Sequence, residues 1–316
     1  MHSLPENYCI QRTDFQFKNL KSVYHGKVRD VYDFGEKLVI ICTDRISAFD
    51  HILPRPIPYK GQVLNQIAQH FLEASSSICP VWLQSVPDPS VSVGLKCLPI
   101  PIEIVVRGYL AGHAWRTYKN GGRSLCGVRL KNGMKESQEF ETPIVTPTTK
   151  ASEGHDMDIS RSEIISQNIV SKEILDKVYD YALELFEKGT SMASEKGLIL
   201  VDTKYEFGIY NGEVILMDEI HTPDSSRYYI SDGYFEKLEN SKPQTQLSKE
   251  FVREWLMSYG FKGQEGELMP EMPDAFVWEI SKRYIELYER ITGKEFQRND
   301  AVSIEERIKN NLTEYF

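Results

Sequence analysis

Three acids, Asp202, Glu206 and Asp218, and one lysine, Lys204, stand out along a single apolar-flanked stretch, Val201-Asp202-Thr203-Lys204-Tyr205-Glu206-Phe207-Gly208-Ile209-Tyr210-Asn211-Gly212-Glu213-Val214-Ile215-Leu216-Met217-Asp218-Glu219. Carboxylates presented this way suit Mg²⁺, a hard cation that takes one or two carboxylates and completes its shell with phosphate oxygens and water. The same pattern also describes a β-hairpin with ordinary surface charges, turning at Asn211-Gly212. The cations that could serve with Asp202, Glu206 and Asp218 are Lys27, Arg29, Arg107, Lys150, Lys204 and Arg227. That inventory fits Mg-ATP and a second anionic ligand, because phosphoryl transfer asks chiefly for positioning and charge neutralisation.

The elements that must position these groups follow from the apolar pattern. Residues 28–34 and 37–43 read as two strands of a hairpin turning at Gly35. Just before them, Gly26-Lys27-Val28-Arg29 reads either as a cover over a nucleotide's phosphates or as a turn with two exposed cations. A polar loop, 44–51, leads into Pro54, Pro56 and Pro58, which hold the chain extended. A helix opening at Lys60-Gly61 buries Val63, Leu64, Ile67, Ala68, Phe71 and Leu72. Short strands broken by Pro80, Pro87, Pro89 and Pro99 fill 75–101. The strand 102–107 ends on Arg107, and Gly108 leads into a helix that Gly121-Gly122 stops. An arginine beside a helix start is well placed for an anion, because the N-terminal N–H groups point the same way. A subdomain boundary is expected near 108–120. Residues 146–156 read as a polar, functional loop. A core helix from Ser171 to about Ser194 carries Ile174, Leu175, Val178, Ala182, Leu185 and Met192 on one face. Beyond residue 231 the chain is mainly helical, with packing helices at 248–259 and 274–292.

Composition narrows the partners. Of 316 residues, 26% are charged and the net charge is −9, which argues against general nucleic-acid binding while allowing a local basic pocket. No run reaches the length of a membrane helix, so no membrane partner is expected. Met1–Glu6 lacks the charged-then-apolar order of a signal peptide. The five cysteines are widely spaced and odd in number, without a C-x-x-C pair. A reducing cytoplasm and free thiols are therefore expected. Neither G-x-x-x-x-G-K-[ST] nor G-x-G-x-x-G occurs, which removes P-loop and Rossmann readings.

The order Asp202-x-Lys204-x-Glu206, then Asp218 after an Asn-Gly turn, resembles kinase-like catalytic loops, with Glu206 in the place of an Asn and one residue less of spacing. Six segments stand together in family order: Gly26-Lys27-Val28-Arg29-Asp30-Val31-Tyr32, Asp44-Arg45-Ile46-Ser47-Ala48-Phe49-Asp50, Val105-Val106-Arg107-Gly108-Tyr109-Leu110-Ala111-Gly112, Thr149-Lys150 with His155-Asp156, Val201–Gly208, and Met217-Asp218-Glu219 with Pro223-Asp224-Ser225-Ser226-Arg227-Tyr228. From about residue 20 to 235 the chain resembles the SAICAR synthetases, in their longer form with C-terminal helices. The resemblance implies an α+β fold: two α+β subdomains, 1–110 and 111–316, with a kinase-like or ATP-grasp-like nucleotide cleft between them. It implies ATP and Mg²⁺ as cofactors, and CAIR (a carboxylated aminoimidazole ribotide) and L-aspartate as substrates, condensed to SAICAR in purine biosynthesis. Lys27, Arg29, Glu103, Lys150 and Asp218 then match the ATP site, and Glu206 and Asp218 the metal ligands. Arg107, Gly112, His113, Ser47, Asp50, Asp156 and Arg227 match substrate-binding positions, with Arg107 on the CAIR phosphate. Lys204 and Asp202 are the expected catalytic pair.

The metal reading makes a geometric demand. If Asn211-Gly212 is a strict two-residue turn, Glu206 sits opposite Met217, and a continued ladder puts Asp218 on the other face. Either the connection is bulged or three residues long, or Asp202–Glu206 is a loop preceding the hairpin. The kinase-like spacing favours the loop.

Overall fold

The computed structural model describes residues 9–150, 157–298 and 303–315. In chain order the strands are β1 (Ser22–His25), β2 (Arg29–Asp33), β3 (Lys37–Cys42), β4 (Ser47–Ala48), β5 (His51–Ile52), β6 (Leu83–Asp88), β7 (Val91–Leu95), β8 (Leu98–Tyr109), β9 (Ser124–Leu125), β10 (Val128–Arg129), β11 (Glu139–Thr149), β12 (Leu198–Tyr210), β13 (Glu213–Met217) and β14 (Ser226–Ile230). The helices are α1 (Lys60–Ser75), α2 (Gly112–Lys119), α3 (Arg161–Ser166), α4 (Lys172–Ser194), α5 (Tyr234–Glu239), α6 (Glu250–Ser258), α7 (Asp274–Thr292) and α8 (Ile304–Asn311). This is an α+β fold.

The chain divides into two compact units, one of Met1–His70, Leu83–Lys96 and Ser248–Phe316, the other of Phe71–Trp82 and Cys97–Leu247. The division differs from a single cut at residue 110. The strand bearing Arg107 belongs wholly to the second unit, and the C-terminal helices belong to the first. Contacts between residues more than 200 positions apart produce that arrangement.

In the first unit an antiparallel sheet runs β1-β2-β3-β7-β6. Alternation turns Tyr32, Val39, Ile41, Val91 and Val93 to one face, where Ile304, Ile308 and Leu312 of α8 and the residue after it pack on them. Removing this apolar surface from water is the main stabilising term, at roughly 25 cal/mol per Å² buried. Arg307 fixes α8 from the side: its Nε and Nη2 donate to the fully buried Asp88 at 2.9 and 3.0 Å. The expected loop 44–51 contains the tiny hairpin of β4 and β5, with Phe49 and Asp50 both at positive φ (51° and 64°). A two-residue turn with both centres left-handed suits strand twist, yet costs strain when neither residue is glycine.

In the second unit β12 is central. It pairs with β8 along one edge, and with β14 and then β13 along the other, while β11 extends the sheet beyond β8. Val201, Thr203, Tyr205 and Phe207 turn inward, and all are buried. α4 packs on β12 and β8 with Leu175, Val178, Ala182, Leu185 and Phe186 buried, whereas Ile174 and Met192 are only half-buried. Three expectations are corrected. Asp202–Glu206 is not a loop but the middle of a continuous strand, because its apolar residues alternate with its charged ones at the β period. Residues 146–149 belong to β11 rather than to a loop, and 151–156 of the expected loop lie outside the described residues. Pro87 and Pro99 lie within β6 and β8 rather than breaking them, Pro99 in the part beyond the end of the β11 ladder at Ile102. There a missing N–H costs no bond to β11.

Candidate functional site

The outward face of β12 carries Asp202, Lys204 and Glu206 at successive alternate positions. The register with β8 sets Arg107 opposite Asp202 and Glu103 opposite Glu206, so these five side chains share one face. On the other edge Arg227 of β14 also stands opposite Asp202. The charges sort into two clusters.

At one end two arginines share one carboxylate. Asp202 Oδ2 accepts from Arg107 Nη1 at 3.1 Å, and Arg227 Nη1 reaches Oδ1 and Oδ2 at 2.9 and 2.7 Å. Arg107 Nε donates to Thr146 Oγ1 at 2.9 Å. Asp202 is 3% exposed and Arg107 5%. Burial lowers the Arg107 pKa, the Asp202 carboxylate opposes that, and neighbouring Arg227 lowers it further. The guanidinium remains charged throughout the working range. Gly112 opens α2 at φ 53°, and a Cβ there would stand 2.3 Å from Arg227 Nη2. Only glycine lets that guanidinium lie against the helix start. Next to it, His113 Nε2 meets Asp158 Oδ2 at 2.7 Å, and this contact leads the effects that hold Asp158 below the usual carboxylate range.

At the other end two lysines share one carboxylate. Lys204 Nζ donates to Glu103 Oε1 and Glu206 Oε1, both at 2.6 Å, while Lys150 Nζ donates to Glu206 Oε2. Burial would raise the Glu206 pKa, but Lys204 and Lys150 outweigh it and hold the group well below its ordinary value. Burial would lower Lys204, but Glu206, Glu103 and then Asp218 raise it above the ordinary lysine value.

Asp218 resolves the register question. Asn211-Gly212 is a strict two-residue turn, with Tyr210 opposite Glu213 and Glu206 opposite Met217. The bulged alternative is thereby excluded. The ladder ends at Met217, however, and Asp218 takes the left-handed conformation at φ 62°. Its carbonyl accepts from Trp82 Nε1 at 2.9 Å. The alternation rule therefore stops one residue short of Asp218, whose carboxylate acts electrostatically on Lys204 together with Glu206. Asp218 thus acts on the same ammonium as Glu206 although it lies outside the β12–β13 ladder.

The first unit brings together another expected group. Lys27 Nζ pairs with Asp50 of the β4–β5 turn, with Ser47 at the start of the same hairpin. Arg29 opens β2. Asp156 lies outside the described residues. Two residues of the site, Asp158 and Thr146, are absent from the sequence-based candidates. Asp158 stands two positions beyond Asp156, just past the end of the polar segment 146–156, and Thr146 belongs to a stretch whose polarity suggests a loop.

The model of the SAICAR synthetase family matches residues 22–269. The chain belongs to the SAICAR synthetase family. It is 59% identical over 309 residues to the phosphoribosylaminoimidazole-succinocarboxamide synthase of Bacteroides thetaiotaomicron, covering 97% of this chain and 98% of that one. Among solved structures, the SAICAR synthase of Saccharomyces cerevisiae complexed with SAICAR is 33% identical with a TM-score of 0.78, covering 92% of this chain and all of that one. A type-2 SAICAR synthetase in complex with ADP, 24% identical, covers 88% of this chain and all of its own at a TM-score of 0.67, and shares the fold. No helix of the described residues is long and apolar enough to cross a membrane.

Proposed function

We propose that the charged face of β12 and the Gly26–Arg29 turn carry out the family reaction, the ATP-dependent condensation of CAIR with L-aspartate to SAICAR, ADP and phosphate. The carrying observation is the sharing of one strand face by an arginine-bound carboxylate and a lysine-bound carboxylate. A carboxylate is a poor electrophile because its leaving group is oxide. Transfer of the γ-phosphoryl group to a CAIR carboxylate oxygen gives an acyl phosphate. The aspartate amine then attacks the acyl carbon, and phosphate departs with the oxygen that CAIR supplied.

Arg107 and Arg227 serve as the anion-binding forks for CAIR, the first toward its phosphate and the second toward a carboxylate, oriented by Asp202. Gly112, His113, Asp156, Ser47 and Asp50 are assigned to substrate binding. Lys27, Arg29 and Lys150 receive the ATP phosphates, with Glu103 and Asp218 completing the nucleotide site. Glu206 and Asp218 are the carboxylates that would hold a Mg²⁺ ion, since both act on the Lys204 ammonium. A carboxylate pair is what an ion coordinated mainly by phosphate and water requires. When bound, Mg²⁺ neutralises charge on the transferring phosphoryl group. Lys204 holds Glu103 and Glu206 together and presents an ammonium to the developing negative charge. With five free cysteines and a purine-biosynthetic role, the working location is the cytoplasm.

ATP turnover is expected to require both CAIR and L-aspartate, and ¹⁸O placed in the CAIR carboxylate should appear in the released phosphate. Turnover without an amine substrate, or ¹⁸O retained in SAICAR with none in phosphate, overturns the reading.

A further inference from the structure

We propose that Arg45 is the positioning residue of the Gly26–Arg29 turn, setting the direction in which that turn offers its amides to the ATP phosphates. The inference rests on the assignment of Lys27 and Arg29 to ATP.

One guanidinium gathers the turn from inside. Arg45 Nη2 donates to Gly26 O at 2.9 Å and to Arg29 O at 3.2 Å, and Nε donates to Lys27 O at 3.1 Å. Nη1 donates to Gln11 O. The turn's own closing bond, Gly26 N to Arg29 O, is 2.8 Å. A trans peptide sets its C=O and N–H in opposite directions, and the chain has no cis peptide among the described residues. With the carbonyls of Gly26 and Lys27 drawn toward Arg45, the N–H groups of Lys27 and Val28 point away from it. Successive amides aimed to one side form an anion-binding concavity. The side chain of Lys27, on the same turn, adds positive charge.

Arg45 is itself held. Its Nη2 donates at 2.9 Å to Asp30 Oδ1, and the Asp30 side chain is fully buried. Asp30 Oδ2 accepts from Thr13 N at 2.7 Å and Thr13 Oγ1 at 2.9 Å, and His25 Nδ1 stands 3.0 Å from Oδ1. Burial would raise the Asp30 pKa, but bonds from Arg45, His25 and Thr13 hold it below the ordinary value, so the carboxylate stays ionised. Lysine in place of arginine keeps one charge facing Asp30. It cannot span three carbonyls in the plane of a fork.

Arg45→Lys is expected to raise KM for ATP on the order of tenfold or more, as a misplaced binding group does, and to leave KM for CAIR and for aspartate within about twofold. Added guanidinium should lower KM for ATP in Arg45→Ala. In the unmodified protein, ATP should slow hydrogen exchange at the Lys27 and Val28 amides, a readout that stands even where both variants fail to fold. Lys27→Ala separates the two layers: an unchanged KM for ATP there defeats the ATP assignment. A raised KM in Lys27→Ala, with Arg45→Lys unaffected or no ATP protection at Lys27 and Val28, defeats the role of Arg45 alone.

Discussion

Asp202 and Glu206 lie four residues apart on one face of β12, and each carboxylate is held by two cations, yet the clusters are built from different chemistry. Asp202 is held by the buried Arg107 and by Arg227, whose side chain is only 13% exposed and which reaches both carboxylate oxygens. Glu206 is held by lysines, of which Lys150 keeps 40% of its side chain exposed and Lys204 32%. Planar forks fix geometry, and lysines supply mobile point charges. The arginine end suits a carboxylate that orients its partners permanently. The lysine end suits a carboxylate that exchanges partners, as the proposed Mg-ATP site requires. Substitutions at the two acids should therefore fail in different ways.

The largest effect is expected at the arginine end. Asp202→Ala leaves two guanidiniums facing each other without their shared anion. Removing one partner of a buried ion pair costs about 3–5 kcal/mol. Urea unfolding should show that loss, and CAIR binding should fall with it. A loss below about 1 kcal/mol would make Asp202 a dispensable neighbour and dissolve the contrast.

At the lysine end the cost should move from folding to turnover. Glu206→Gln leaves Lys204 its bond to Glu103, and exposed Lys150 turns to water, so stability should change by only about 1 kcal/mol. The proposed metal ligand is lost, and kcat should fall on the order of a hundredfold to a thousandfold, as for loss of one transition-state electrostatic contact. Steady-state kinetics over a Mg²⁺ series checks this. Unchanged kcat and unchanged Mg²⁺ dependence would remove Glu206 from the metal site.

Arg227→Lys tests the fork itself. Its Nη1 holds both Asp202 oxygens, and Gly112 gives the guanidinium room beside α2. A lysine keeps the charge and loses the rigid guanidinium that holds Nη1 over both oxygens, for about 1.5 kcal/mol of stability. KM for CAIR should rise roughly tenfold while KM for ATP holds. A parallel rise in both would mean that the arginine end and the ATP site are not separable.

The contrast is partly legible in the residue types alone. The β period of Asp202, Lys204 and Glu206 between Val201, Thr203, Tyr205 and Phe207 is local, as are the apolar faces of α1 and α7. The loop reading of 202–206 comes from requiring Asp218 to obey the same alternation. A single left-handed residue after the strand removes that requirement, and no pattern of residue types announces it in an Asp. The sharing of Asp202 by Arg107 spans 95 positions and depends on the β8–β12 register, which periodicity does not determine. The same holds for α8 closing the first sheet, where Arg307 meets Asp88 across 219 residues.

The smallest expected effect is in pH dependence, and it separates the two ends cleanly. Lys204 has a raised folded pKa, so its contribution is complete below the unfolded value of about 10.4 and declines as pH rises toward the folded one. Glu206 has a depressed folded pKa, so its contribution is complete above about 4.3 and declines as pH falls toward the folded one. The lysine end thus stabilises the fold fully from about pH 5 to 10 and weakens on either side. Arginine does not titrate in that range, so the arginine end should add no alkaline slope of its own. Urea midpoints of the unmodified protein minus those of Lys204→Met should be flat from about pH 6 to 9.5 and shrink above about 10.5. In Arg227→Lys, where a lysine faces Asp202, a second alkaline slope should appear that the unmodified protein lacks. If that variant shows no added slope, the new ammonium is not held by Asp202, and the fork rather than the charge is what keeps the buried carboxylate paired.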